Sequence, residues 1–206
     1  RDAKAPRLRT LRVQMPPSFA AHLVVPILQD FRCANPEVEI DLVSPYGIGP
    51  PASDVDVAVL YSRPAVTDRV SDLLWPVRLG ILCHPDVAAR HAGKDLEDFI
   101  RENELVHMRV EGLPRRHFWS QFVRHHGLSG VDVERGLVFD TEILTVQYIL
   151  SGSGVALVDL ALFRDHLDAG RLVCPYEQTL DDGFGFYLVT DPEALSDTAT
   201  ALFRSW

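Results

Sequence analysis

Leu11, Val13 and Met15 alternate with polar neighbours. That period of two predicts a β-strand, which Pro16-Pro17 ends. Ser18 stands where a helix N-cap belongs. Phe19, Leu23, Ile27 and Phe31 follow at spacing four and predict one apolar helical face, with Pro26 as the point of a kink or tight break. Asn35-Pro36 closes the helix. Val38, Ile40 and Leu42 alternate again as a second strand. Pro45 to Pro51 is a loop rich in Gly and Pro, and Val55 to Tyr61 is a nearly continuous apolar strand, as buried parallel strands are. The first third thus reads β-helix-β-loop-β. Ligands of such sheets bind beyond the carboxyl ends of the strands, here Pro17-Ser18, Ser44-Pro45-Tyr46 and Tyr61-Ser62.

Further along, Leu79 to Cys83 predicts a strand, Pro85 to Arg90 and Leu96 to Asn103 two short helices, and Leu105 to Val110 a strand. Arg116 to His126 predicts a helix with Phe118, Trp119, Phe122 and Val123 on its apolar face. Asp140 or Thr141 caps the next helix, which Gly152 ends. Val155 to Val158 is a strand, Leu160 to Leu167 a helix, Leu172 to Tyr176 extended, Phe184 to Thr190 a last strand and Leu195 to Trp206 a last helix. Strands alternating with helices give the α/β class. Gly152-Ser153-Gly154 invites comparison with a phosphate cradle. Such a cradle runs strand, glycines, helix; here the order is helix, glycines, strand, and position 157 is Leu. The glycines read as a turn.

Composition narrows the chemistry. With 206 residues, 47% hydrophobic and 24% charged, the chain can bury an ordinary core. Its net charge of −9 argues against binding a phosphate backbone; the densest basic cluster, Arg115-Arg116-His117 with Arg109 and Arg124, is diluted by Glu104 and Glu111. Cys33, Cys83 and Cys174 form no disulfide or zinc pattern and read as buried free thiols in a reducing compartment. Neither a membrane span nor a signal peptide is visible, so the reading is cytoplasmic, without membrane contact. No cofactor, metal or catalytic motif stands out. His117, His125 and His126 lack a compact acidic partner, and Asp56 reads as a structural acid of the third strand.

The segments "SFAAHLVVPILQDFRCANP" (18–36), "VEIDLV", "DVDVAVLY", "HPDVAA" (84–89), "GSGVALV" (152–158) and "DAGRLVCPY" (168–176) resemble, in order and spacing, the effector-binding domain of LysR-type transcriptional regulators. "FDTEIL" and "GFYLVT" are most similar to the glycine-cleavage and β-lactamase activator subgroup. The resemblance implies two Rossmann-like lobes joined by a two-strand hinge, periplasmic-binding-protein-like of type II. Lobe I would be 8–77 plus 186–206, and lobe II 78–185. Residues 1–7 would be the remnant of a linker to a missing N-terminal winged helix-turn-helix, the only part to touch DNA. It further implies a homodimer, a tetramer at full length, pairing the first helix with the helix from Thr141 to Ser151.

In that fold a small anionic or zwitterionic effector lies between the lobes, against helix N-termini. The candidates are Ser18 and Phe19 in lobe I and Thr141 and Glu142 in lobe II. The resemblance implies a small polar residue at 142; a carboxylate there either attracts an ammonium group or points to solvent. Tyr61 and Tyr46 are placed to cover a ligand, His107 and Arg109 lie on a lobe II strand near it, and Arg109 suits a carboxylate. Asp159 suits an amine, and Phe186 or Tyr187 faces the site from the returning strand. A solute-binding protein of a transporter or chemoreceptor is the rival reading, and an enzyme on this fold is disfavoured for want of catalytic groups.

Overall fold

The computed structural model describes residues 9–45, 47–65 and 67–206. The expected linker remnant and Tyr46 lie outside them. Two compact units form, one from residues 9–76 and 184–206, the other Val77–Gly183.

The first unit opens with β1 (Arg9–Gln14), whose Leu11 and Val13 are wholly buried. Its helix starts two residues earlier than the sequence predicts. The N-cap is Pro16, and Ser18 sits inside the first turn, α1 (Pro17–Phe19), without capping it. Two prolines explain this: Pro17 has no N–H for a cap to satisfy, and its fixed φ suits the start of a helix. No kink follows at Pro26. A π turn (Ala20–Val24) leads instead into α2 (Val25–Ala34), with Pro26 in its first turn. A proline at 26 offers no N–H to the carbonyl of His22, and the widened turn absorbs the mismatch. The extra residue also rotates the helix. Ala20, Val24 and Phe31 are buried, whereas Ile27, expected on the inner face, is 47% exposed and Val25 55%.

β2 (Val38–Val43) and β3 (Val57–Ser62) flank β1 in parallel. Asp56 precedes β3 and accepts the Arg12 backbone N–H at 2.8 Å. β4 (Val70–Pro76) was not legible because nearly every side chain on it is exposed or half-exposed. The tenth strand, β10 (Gly185–Thr190), inserts antiparallel between β3 and β4, giving the order β2-β1-β3-β10-β4. The last segment is a 3₁₀ turn (Pro192–Ser196) followed by α8 (Thr198–Ser205), not one helix. Asp197 caps α8 by accepting the Thr200 N–H at 3.0 Å, and so separates the two.

The second unit runs β5 (Leu79–Leu82), α3 (Pro85–Arg90), α4 (Leu96–Glu102), β6 (Leu105–Met108), α5 (His117–His125), β7 (Leu137–Phe139), α6 (Glu142–Leu150), β8 (Val155–Asp159), α7 (Arg164–Asp168) and β9 (Thr179–Leu180). The sheet order is β7-β6-β8-β5-β9, with β5 antiparallel to its neighbours. β7 and β9 are short and escaped the sequence reading. Leu160 to Phe163 is a turn, not the start of a helix, because Asp159 accepts the Ala161 N–H at 2.9 Å in a local Asx turn. Leu172 to Tyr176 forms only one bridge, Cys83 with Val173. Gly152 and Gly154 have φ of 90° and 71°, so the glycine pair is a left-handed turn between α6 and β8. Gly154 also lets the chain pass close to the Glu104 carbonyl, 3.0 Å from where a Cβ would sit.

Of the three thiols, Cys83 is buried, with its pKa pushed up to about 11 by that burial, and Cys174 is half-buried. Cys33 is exposed on α2, contrary to expectation, because the rotated helix turns that face outward. Among the described residues, no helix is long and apolar enough to cross a membrane.

Candidate functional site

In the second unit α6 begins at a built N-terminus. Thr141 Oγ1 accepts the Leu144 N–H at 3.2 Å, and Thr145 Oγ1 donates to the Thr141 carbonyl at 3.1 Å. Glu142 occupies the first helical position and is 7% exposed, so it does not point to solvent. Its Oε1 accepts the Asp159 backbone N–H at 3.0 Å. Asp159, at the carboxyl end of β8, is buried as well. Burial, reinforced by the Asp159 charge, pushes the Glu142 pKa up to about 8, against the pull of that one hydrogen bond. At neutral pH the carboxyl carries its proton. Two acids seventeen residues apart in sequence meet at one helix start, and an ammonium group beside them would draw Glu142 to its charged form.

His107 is 2% exposed on β6. Its Nε2 faces the Arg135 carbonyl at 2.9 Å, its Nδ1 has no partner among the described residues, and burial lowers its pKa. Arg109 lies just past β6, exposed, with its backbone N–H held by the Phe139 carbonyl at 2.7 Å. The basic cluster around α5 is part-neutralised: Arg116 pairs with Glu134 at 2.9 Å, and His117 Nε2 lies 2.9 Å from Asp182.

In the first unit Ser18 is buried at the carboxyl end of β1. Phe19 stacks on Trp75 at 5.4 Å and meets Phe186 at 5.2 Å, so both phenylalanines belong to an aromatic core. Tyr61 stacks on Phe184 at 4.7 Å. A hollow of about 110 Å³ opens where β1 and β3 end, lined by Gln14, Met15, Pro16, Gly49 and Tyr61 among others. Tyr187 sits on the other face of the sheet from Phe186, in a larger cavity. The sequence reading missed that cavity, since its walls come from separate loops and strands.

A family described as the LysR substrate binding domain matches residues 4–206. The chain is 29% identical over 197 residues to the glycine cleavage system transcriptional activator of Escherichia coli (strain K12), a match covering 95% of this chain and 63% of that protein. It is 28% identical over 192 residues to the HTH-type transcriptional activator AmpR of Citrobacter koseri, covering 92% and 63%. The chain therefore spans less than two thirds of the length of these curated relatives. Among solved structures, the AmpR effector binding domain from Citrobacter freundii superposes with a TM-score of 0.77 at 20% identity, covering 96% of each chain. The CrgA regulatory domain from Neisseria meningitidis does so at 0.74 and 18%, covering 95% of each. Their fold, with two α/β units of the type II periplasmic-binding kind, is the fold of this chain.

Proposed function

Because this chain belongs to the LysR substrate-binding family, we propose that it is the effector-sensing part of a bacterial transcriptional regulator. It takes up a small anionic or zwitterionic molecule, and the resulting change of state alters how a DNA-binding segment outside this chain engages its target. The family match across residues 4–206 carries the reading. The relatives are transcriptional regulators, which disfavours both the enzyme and the transporter readings. In this reading Ser18 and Thr141 contact the effector, and the Glu142–Asp159 acids receive an amine, which favours a zwitterion over a simple acid. A second copy pairs through α2 and α6, whose outer faces expose Val25, Ile27 and Leu144.

Thermal shift against amino acids, aromatic acids, muropeptides and sugars tests the reading. A binder at 100 times its Kd adds about 2.7 kcal/mol. The melting point should rise with one class, and Ser18→Ala and Thr141→Ala should each abolish the rise. A rise that survives both substitutions would remove these residues from the site.

A further inference from the structure

The helices of the first unit reach one face of its sheet. Phe19 of α1 meets Phe186, and Arg204 of α8 donates to Thr190 Oγ1 at 2.6 Å. Phe186 and Thr190 are four residues apart on β10 and therefore share a face. Phe31 of α2 packs on Phe203 of α8 at 5.5 Å, tying α2 to the same side.

The opposite face carries the alternate residues. Tyr187 pairs with Leu60 of β3, and Val189 pairs with Ser71 of β4. Among its described residues the connection from β2 to β3 forms no helix, and loop residues line this face. One loop stays in place through the Ala52 N–H, which donates to Gln14 Oε1 at 2.9 Å. Between residues 48–51 on one side and residues 62–65, 67 and 69 on the other lies a cavity of about 470 Å³. That size falls within the range of roughly 300–1,000 Å³ typical of small-molecule sites.

Its chemistry is lopsided. Leu60, Tyr187 and Val189 form the floor, and Ile48, Pro50, Pro51 and Pro64 form stiff apolar walls. Arg63 and Arg69 stand on the rim with the hydroxyls of Ser62, Thr67 and Ser71, and no Asp or Glu among the described residues lines the cavity. In a chain of net charge −9, a lining with arginines and without an acid stands out. Arg69 bridges Asp191 at 2.7 Å, and Arg63 lies over the Phe184 ring at 4.7 Å. A guanidinium has five donors, so Arg69 can keep its ion pair and still offer N–H groups to an oxyanion.

We propose that this cavity is a second small-molecule site, which takes a monocarboxylate with an aromatic or branched apolar body. The body rests on Leu60 and Tyr187, and the carboxylate meets Arg69. The site stands apart from the effector reading, since Ser18 belongs to α1 on the other face of the sheet.

The test is an NMR titration of the chain with 3-phenylpropionate and, as its neutral counterpart, 3-phenylpropanol. The acid should give saturable shifts at Leu60, Ser71, Tyr187 and Val189, with the alcohol about tenfold weaker or worse. Arg69→Gln should weaken the acid about tenfold and leave the alcohol unchanged. Ser71→Trp, on an exposed edge strand, should fill the cavity and erase the shifts, with unmoved resonances elsewhere showing that the fold is kept. Absence of saturable shifts up to about 10 mM, well beyond a useful affinity, would overturn the proposal, as would equal binding of the alcohol. Shifts confined to Ser18 and Thr141 would also overturn it and would leave the effector reading standing.

Discussion

Glu142→Gln should flatten a loss of stability that the protein suffers between about pH 5 and pH 8. The carboxyl has an ordinary value of 4.5 when the chain is unfolded and about 8 when it is buried at the start of α6. Below 4.5 both states hold the proton, and the group's full contribution is present. As the pH rises, the unfolded chain releases its proton while the folded one keeps it, so stability falls until the folded group ionises near 8. Each tenfold step is worth about 1.4 kcal/mol, which makes the whole window on the order of 5 kcal/mol. Glutamine keeps an oxygen for the Asp159 N–H and has no proton to lose. Urea unfolding at intervals from about pH 5 to pH 9 reads the difference through the midpoints. The two proteins should be closest in stability at the acid end, and the variant should gain steadily toward the alkaline end. Parallel curves would show that Glu142 ionises as freely in the folded state as in the unfolded one, and the buried acid pair would have to be abandoned.

Thr141→Ala should lower stability by about 1 kcal/mol through loss of the Leu144 cap, whereas Thr141→Ser should restore most of it, as read by thermal melting. Gly154→Ala should cost clearly more than Gly152→Ala. Both positions need a left-handed backbone worth about 1–2 kcal/mol to an L-residue, but only at 154 would the new methyl press on Val106 and the Glu104 carbonyl; equal losses would contradict that geometry. Asp56→Ala should destabilise by about 1–3 kcal/mol by stranding the Arg12 N–H, and hydrogen exchange should speed up at Arg12 before the rest of β1.

Elements with a strong period or a clear stop were legible. α3 matched its sequence bounds because His84 and Pro85 mark the start. α5 matched to within a residue because Phe118, Trp119 and Phe122 recur on one face. β4 was silent because an exposed edge carries no burial pattern. The π turn was silent because it spends one residue without changing the composition. The site followed the same logic. Thr141 could be found from its position before an apolar run. The meeting of Glu142 with Asp159 depends on where β8 lies beside α6, and the cavity on Tyr187 depends on β10 returning from the far end of the chain. Neither distance is written in local spacing.

That return has a consequence for how the molecule is made. β10 fills the gap between β3 and β4, yet it leaves the ribosome more than a hundred residues after β4. The second unit is continuous in sequence and can close as soon as Gly183 has emerged. The first unit, although begun earlier, must wait with β3 and β4 as open edges until the last strand arrives. Birth order and folding order are thus reversed, and the half-made first unit is the stage most exposed to aggregation and most in need of a chaperone.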